Sequence, residues 1–239
     1  MTRVEICVET VQGVSAARDG GADRLELCSS LYVGGLTPSA GLMRLAAESG
    51  VPSRALIRPR GGSFCYDPDE IRQIEHDMAA ARDFGLAGVV IGAARADRSL
   101  DRDGLRRLVD RRGSLGLTLH RVFDMTPDPF ESLELAIDIG FDRILTSGQA
   151  PTAVDGARLI ARLVAAGAGH ITIVAAAGIT PGNVSTLLRA TNAPEVHASC
   201  RAPAPSADDP EFERFGFGSP PRMTDTDTVA RLVAAAKEI

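Results

Sequence analysis

At 239 residues and 44% hydrophobic side chains the chain is long enough to bury one substantial core, and a formal net charge of −5 provides no basic face to hold a nucleic-acid backbone. No stretch approaches the roughly 18 uninterrupted apolar residues of a membrane helix, and MTRVEICVET reads as an early strand rather than a secretion signal, so a cytoplasmic protein with neither nucleic acid nor membrane as partner is expected. The four cysteines, Cys7, Cys28, Cys65 and Cys200, are too sparse for a disulfide scaffold and are expected as thiols.

In chain order, β-branched or leucine-rich runs at 4–8, 24–28, 55–58, 88–92, 117–120, 143–146, 171–175 and 195–198 alternate with longer helical patterns. Asp67-Pro68-Asp69-Glu70 predicts a helix start, with a capping Asp, a proline at the first helical position and a Glu three residues after the cap. Thr126-Pro127-Asp128-Pro129 and Thr180-Pro181 predict two more starts, while Gly85, Gly140 and Gly167 stand where helices should end. Eight alternations in this length predict an α/β fold, a single (β/α)8 TIM barrel over residues 1–239. The alternative, an open doubly wound sheet, lacks the G-x-G-x-x-G that would open its first unit. From 201 to 223 the chain turns rich in Pro, Ala, Ser and Asp. This predicts a long irregular loop, a candidate lid, homo-oligomer contact or disordered segment, before a last helix at 224–238.

Strand parity separates wall from lumen. With Val4, Ile6 and Val8 facing the helices, Glu5 and Cys7 point inward. The same rule sends Glu26 and Cys28, Arg58 and Arg60, Thr118 and His120, and Glu195, His197 and Ser199 into the barrel. So many buried charges need either internal pairing, with Glu5, Glu26 and Glu195 neutralising Arg58 and its neighbours, or a function. Chemistry in such barrels sits at the C-terminal ends of the strands, where Arg58, Arg60, His120, Arg121, Ser147 and His197 fall. Asp23-Arg24 and Asp142-Arg143 precede strands at the opposite end and are expected in local ion pairs. His76 and His170 are expected on solvated faces.

LIRPRGGSFCY, residues 56–66, aims two arginines past a strand end into a Gly61-Gly62 turn, which suits the lip of an anion-binding pocket. Arg58, Arg60 and Arg121, the hydroxyl of Ser147 with Gly148, and a helix start at Gly178-Ile179-Thr180-Pro181 form the expected anion-binding set. On this reading the chain is an enzyme acting on a small anionic, even phosphorylated, metabolite, with His120 and Asp124 as acid and base. Ser147 lacks the G-x-S-x-G elbow of a nucleophile. The only lysine is Lys237, near the C-terminus, which excludes Schiff-base chemistry in the lumen.

EICVET with GGADRLELC, then GGLTPS, RPRGGSFCY, HRVFD, LTSGQ and EVHAS, in that order and spacing, resemble the CutC family, named for copper homeostasis. The resemblance implies a cytoplasmic barrel linked to copper tolerance that binds copper as Cu(I), with Cys7 and Cys28 as the ligands carried over. The residues themselves are compatible with this: the two cysteines share an E-x-C pattern on neighbouring strands, and thiolates favour Cu(I) over hard cations. His197 is a candidate third ligand, and Cys65 and Cys200 are alternative soft ligands on the rim. The competing reading of Cys7 and Cys28 is that of small buried hydrophobes. Glu5 and Glu26 would raise the thiol pKa values, and Arg58 would have to offset them.

Overall fold

A computed structural model describes residues 2–203, 211, 214–215 and 222–238 of the chain. Its sheet consists of eight parallel strands: β1 (Arg3–Val8), β2 (Arg24–Leu27), β3 (Ser53–Leu56), β4 (Gly88–Ile91), β5 (Gly116–Leu119), β6 (Arg143–Thr146), β7 (Thr172–Ala176) and β8 (Glu195–Ala198). Each pairs with the next, and β8 returns to β1 with Glu5 opposite His197, closing the barrel. Around it stand α1 (Val11–Asp19), α2 (Ala40–Ala47), α3 (Pro68–Asp83), α4 (Arg102–Asp110), α5 (Pro129–Ile139), α6 (Ala157–Gly167), α7 (Val184–Thr191) and α8 (Thr226–Lys237). The expected (β/α)8 barrel is the fold.

The main core lies between sheet and helices. Ile6, Leu25, Leu27 and Leu117 of the strands form one buried cluster with Ile74, Met78, Leu105 and Leu108 of the helices. Local chemistry sets the helix ends. Asp67 accepts from the backbone of Asp69 and Glu70 while Glu70 reaches back to Asp67, so the capping box forms with Pro68 at the first position. Asp128 caps α5 ahead of Pro129, and Gly140 closes it at φ 95°, a left-handed conformation that costs glycine little.

Three expectations are corrected. β3 starts two residues earlier than the apolar run and ends at Leu56, so Arg58 and Arg60 lie in the loop beyond it, where alternation no longer governs direction. Thr180-Pro181 does not open a helix: α7 begins at Val184, and Asn183 Oδ1 accepts from the Thr180 N–H in the preceding turn. The 201–223 segment is not wholly irregular, because its ends pair as an antiparallel ribbon, β9 (Arg201–Pro203) with β10 (Arg222–Thr224). Asp225 then caps α8, which starts at Thr226. The remainder of that expected loop, apart from 211 and 214–215, lies outside the described residues.

Candidate functional site

The floor of the barrel is an ion-pair layer. Arg24 reaches up from β2 and donates to Glu5 and Glu195, each at 2.5 Å. Arg143 of β6 donates to Glu195 at 3.2 Å. Glu5 is also 2.7 Å from His197 Nδ1. Burial alone would raise the Glu5 pKa, but the bonds from His197 and Arg24 hold it below the usual carboxylate range. Glu5 and Glu195 are therefore neutralised, but by Arg24 and Arg143 rather than by Arg58, while Glu26 has, among the described residues, only His197, at 3.7 Å. Both were expected in local pairs at the barrel's bottom; their side chains instead pair across the floor, Arg24 with Glu5 and Glu195 and Arg143 with Glu195. Arg54 completes the layer with a bond to Thr118 and no carboxylate partner among the described residues. Burial, with Arg143 and Arg24 nearby, depresses its pKa to about 10. Its guanidinium occupies space that Gly88 and Gly116 leave, where an added Cβ would come within 2.6 Å of an Arg54 nitrogen.

Above this layer, at the C-terminal ends of the strands, opens a cavity of about 510 Å3. On its inner side Cys7, Glu26 and His197 present a sulfur, a carboxylate oxygen and a ring nitrogen, all within 4.8 Å of one another. Cys7 Sγ is 3.3 Å from Cys28 Sγ, and Cys28 in turn reaches the Val8 carbonyl at 3.6 Å. The two cysteines meet as parity predicts, yet only Cys7 lines the cavity; Cys28 is fully buried and packs with Leu56 and Val90. The Cys28 bond, burial and the Glu26 charge push the Cys7 thiol up. Burial opposes the charge on His197, but Glu26, Cys7 and Glu5 outweigh it and raise its pKa well above the ordinary value. Burial, and the charge of Glu5, raise that of Glu26.

On the opposite wall stand Arg58 and His120. Arg58 donates to the carbonyls of Val33, Gly35 and Gly62. His120 Nδ1 accepts from the Val122 N–H and so caps the short 3-10 turn Arg121–Met125. Burial, then Arg58, depress the His120 pKa to about 3. Phe64 packs on both, its ring centroid 5.0 Å from the Arg58 guanidinium carbon and 4.7 Å from the imidazole centroid. Gly92 makes room for the imidazole, since a Cβ there would lie 2.5 Å from His120 Cε1.

The other expected residues divide. Arg121, Gly178, Ser199 and Cys200 line the cavity, and burial, with Asp225, pushes the Cys200 thiol up to about 11. Arg60 does not line it: its side chain is claimed by Glu70 and lies against Tyr66. Cys65 is exposed and away from the cavity, and His76 and His170 are exposed as expected. Asp124 is not joined to His120. Its oxygens accept from Arg121, Thr146, Ser147 and Gln149. Ser147 is fully buried in the same cluster, and Gly148 donates to Thr146, so neither lines the cavity. Sequence reasoning placed Arg24 and Arg143 at the barrel's bottom but missed their pairing with Glu5 and Glu195, and it missed Arg54 in the floor and Arg201 on the cavity. For Arg24 and Arg54 the signal was present, because parity extended to each strand's first residues sends both inward.

The family model described as the CutC family matches residues 2–202. A CutC protein of Caulobacter vibrioides is 46% identical over 228 residues, covering 95% of this chain and 93% of the relative. One from Sinorhizobium medicae is 48% identical over 219 residues, covering 92% and 89%. The crystal structure of the Streptococcus agalactiae protein that carries the name copper homeostasis protein CutC superposes with a TM-score of 0.79 at 29% identity, covering 82% of this chain and 98% of that one.

Proposed function

Because the chain belongs to the CutC family of copper homeostasis proteins, we propose that it binds Cu(I) in the cytoplasm, on the inner side of the barrel cavity, with Cys7 as principal ligand and Cys28 and His197 completing the set. The observation that carries this reading is the position of Cys7 Sγ, 3.3 Å from Cys28 Sγ and within 4.8 Å of a His197 nitrogen. Thiolate and imidazole are soft and borderline donors and suit Cu(I), whereas the carboxylate of Glu26 suits it poorly.

The sulfurs are packed as thiols rather than spread for a metal. With metal–sulfur bonds of about 2.3 Å, a tetrahedral pair would stand roughly 3.8 Å apart, so chelation by both cysteines requires them to part by about half an ångström. Binding also expels the Cys7 proton, which burial and its neighbours hold tightly. Copper affinity should therefore rise with pH.

An anaerobic Cu(I) competition titration against a chromophoric chelator tests the reading on the wild type, Cys7→Ala, Cys28→Ala and the double variant. One tight site per chain is expected, lost in Cys7→Ala and weakened in Cys28→Ala. Substitution of Arg58 or His120 should leave it nearly intact. Binding indifferent to both cysteines would overturn the proposal.

A further inference from the structure

Arg58 is a buried guanidinium whose hydrogen-bond partners are all neutral. Its terminal nitrogens are spent on three loop carbonyls, its Nε–H has no acceptor, and among the described residues no carboxylate pairs with it. His120 is in the same condition. Because Nδ1 accepts from the Val122 N–H, the neutral ring carries its proton on Nε2, and that N–H is shielded from water without an acceptor. A third such donor is Arg201 Nε, on a side chain whose terminal nitrogen pairs with Glu9 at 3.3 Å, and all three side chains line the one cavity, whereas Arg54 and Tyr66, each also with an unpartnered buried polar atom, do not. Buried donors left unmet, and a positive charge held without counter-charge, both destabilise a fold, so their convergence on one cavity calls for an acceptor.

We propose that this cavity binds a small organic oxyanion, a carboxylate or a phosphate monoester, whose oxygens accept from Arg58 and His120, with Arg201 at the rim. Phe64, packed on both, holds the two principal donors side by side. Leu31, Leu145 and Ile179 supply apolar wall for the rest of the molecule. The volume of about 510 Å3 lies within the range of small-metabolite sites. Glu26, on the inner side with His197, sets the orientation, because a negative group is favoured away from it.

The site does not depend on copper, so the test uses metal-free protein. Isothermal titration with glycerol 3-phosphate and with glycerate, with inorganic phosphate and acetate as bare headgroups, decides between the two oxyanions. Saturable binding is expected in at least one arm. It should weaken about tenfold or more, the worth of a hydrogen bond to a charged group, in His120→Asn, which keeps an acceptor for the Val122 N–H but deletes the Nε2 donor. Arg201→Met should weaken it as well. In the wild type, the His120 Nε2–H resonance in a histidine nitrogen NMR spectrum should move on titration, a readout that requires no variant to fold. Cys7→Ser, which removes the principal copper ligand, should bind the probe as tightly as wild type. No saturable binding in any arm, an unmoved His120 resonance, or equal affinity in His120→Asn and wild type overturns the proposal.

Discussion

At the scale of single residues the lumen is a set of charges that depend on one another. Arg24 is the counter-ion of both Glu5 and Glu195. Replacing it by Met strands two buried carboxylates from their common counter-ion, leaving Glu5 with His197 and Glu195 with Arg143, which should cost about 3 kcal/mol, the lower end for breaking a buried pair, in a urea unfolding titration. Adding Glu195→Gln should recover part of that loss, since one stranded charge is then removed. His120 makes a different prediction. An imidazole takes its proton near pH 6.5 in the unfolded chain but near 3 in the fold, because burial and then Arg58 oppose the charge. Between those values the unfolded state binds more protons, so stability falls as pH drops from 6.5 towards 3, by up to about 1.4 kcal/mol per pH unit from this group. Urea midpoints taken from pH 7 down to pH 4 should fall less steeply in His120→Asn than in the wild type. An equal slope would mean that the ring is protonated in the fold. Residues such as Glu5, Cys7, Glu26 and His197 were legible from sequence because outward leucines, valines and isoleucines in the same strands fix the alternation. Arg60 was not, because the strand ends at Leu56 and the capping carboxylate of Glu70 captures the side chain.

At the scale of elements, glycine in two neighbouring strands is part of the floor. Gly88 and Gly116 face each other in the β4–β5 register, and the Arg54 guanidinium fills the room between them. A Cβ on Gly88 would also lie 2.3 Å from the Gly116 carbonyl oxygen. Backbone cannot yield as a flexible side-chain end can, so Gly88→Ala should destabilise by several kcal/mol, at the upper end of overpacking costs. Gly116→Ala, whose nearest contacts are Arg54 side-chain atoms, should cost less. Thermal unfolding of the two variants orders them, and the reverse order would show that Arg54 is the more rigid neighbour. The helix starts at Pro68 and Pro129 were legible because their caps are local chemistry. The start of α7 was not, since Asn183 turns the Thr180-Pro181 segment into a capped turn of its own. That turn places Gly178, at φ 69°, on the cavity, a placement set by tertiary packing that no local pattern records.

At the scale of the molecule, the C-terminal helix packs where the ring closes, against α1, α7 and β1. α8 buries Val229, Leu232 and Ala236, and Val229 packs so tightly on α1's end that a Cβ on Gly20 would lie 2.6 Å from it. A chain ending at residue 221 loses at least the burial of one valine and one leucine, about 3–6 kcal/mol, which is a large share of the stability of a typical domain. Its melting temperature should fall sharply and it should bind an apolar dye; an unchanged melting curve would mean that the barrel closes without this helix. The barrel itself was legible as eight repeated units. The pairing of β9 with β10 was not, because three residues at each end of a segment rich in Pro and Ala carry no strand signal of their own.

The floor layer of Arg24, Arg54, Glu5 and Glu195 also makes the barrel, among the described residues, a cup rather than a pipe. With these side chains almost wholly buried across the bottom, whatever enters must leave by the same opening. A cargo ion seated against Cys7 and a larger molecule lodged between Arg58 and Ile179 would then share one doorway, and the last to arrive would be the first to depart. A copper donor or acceptor would have to meet the protein at that rim, and an occupied doorway would slow the exchange in both directions without touching the ion itself.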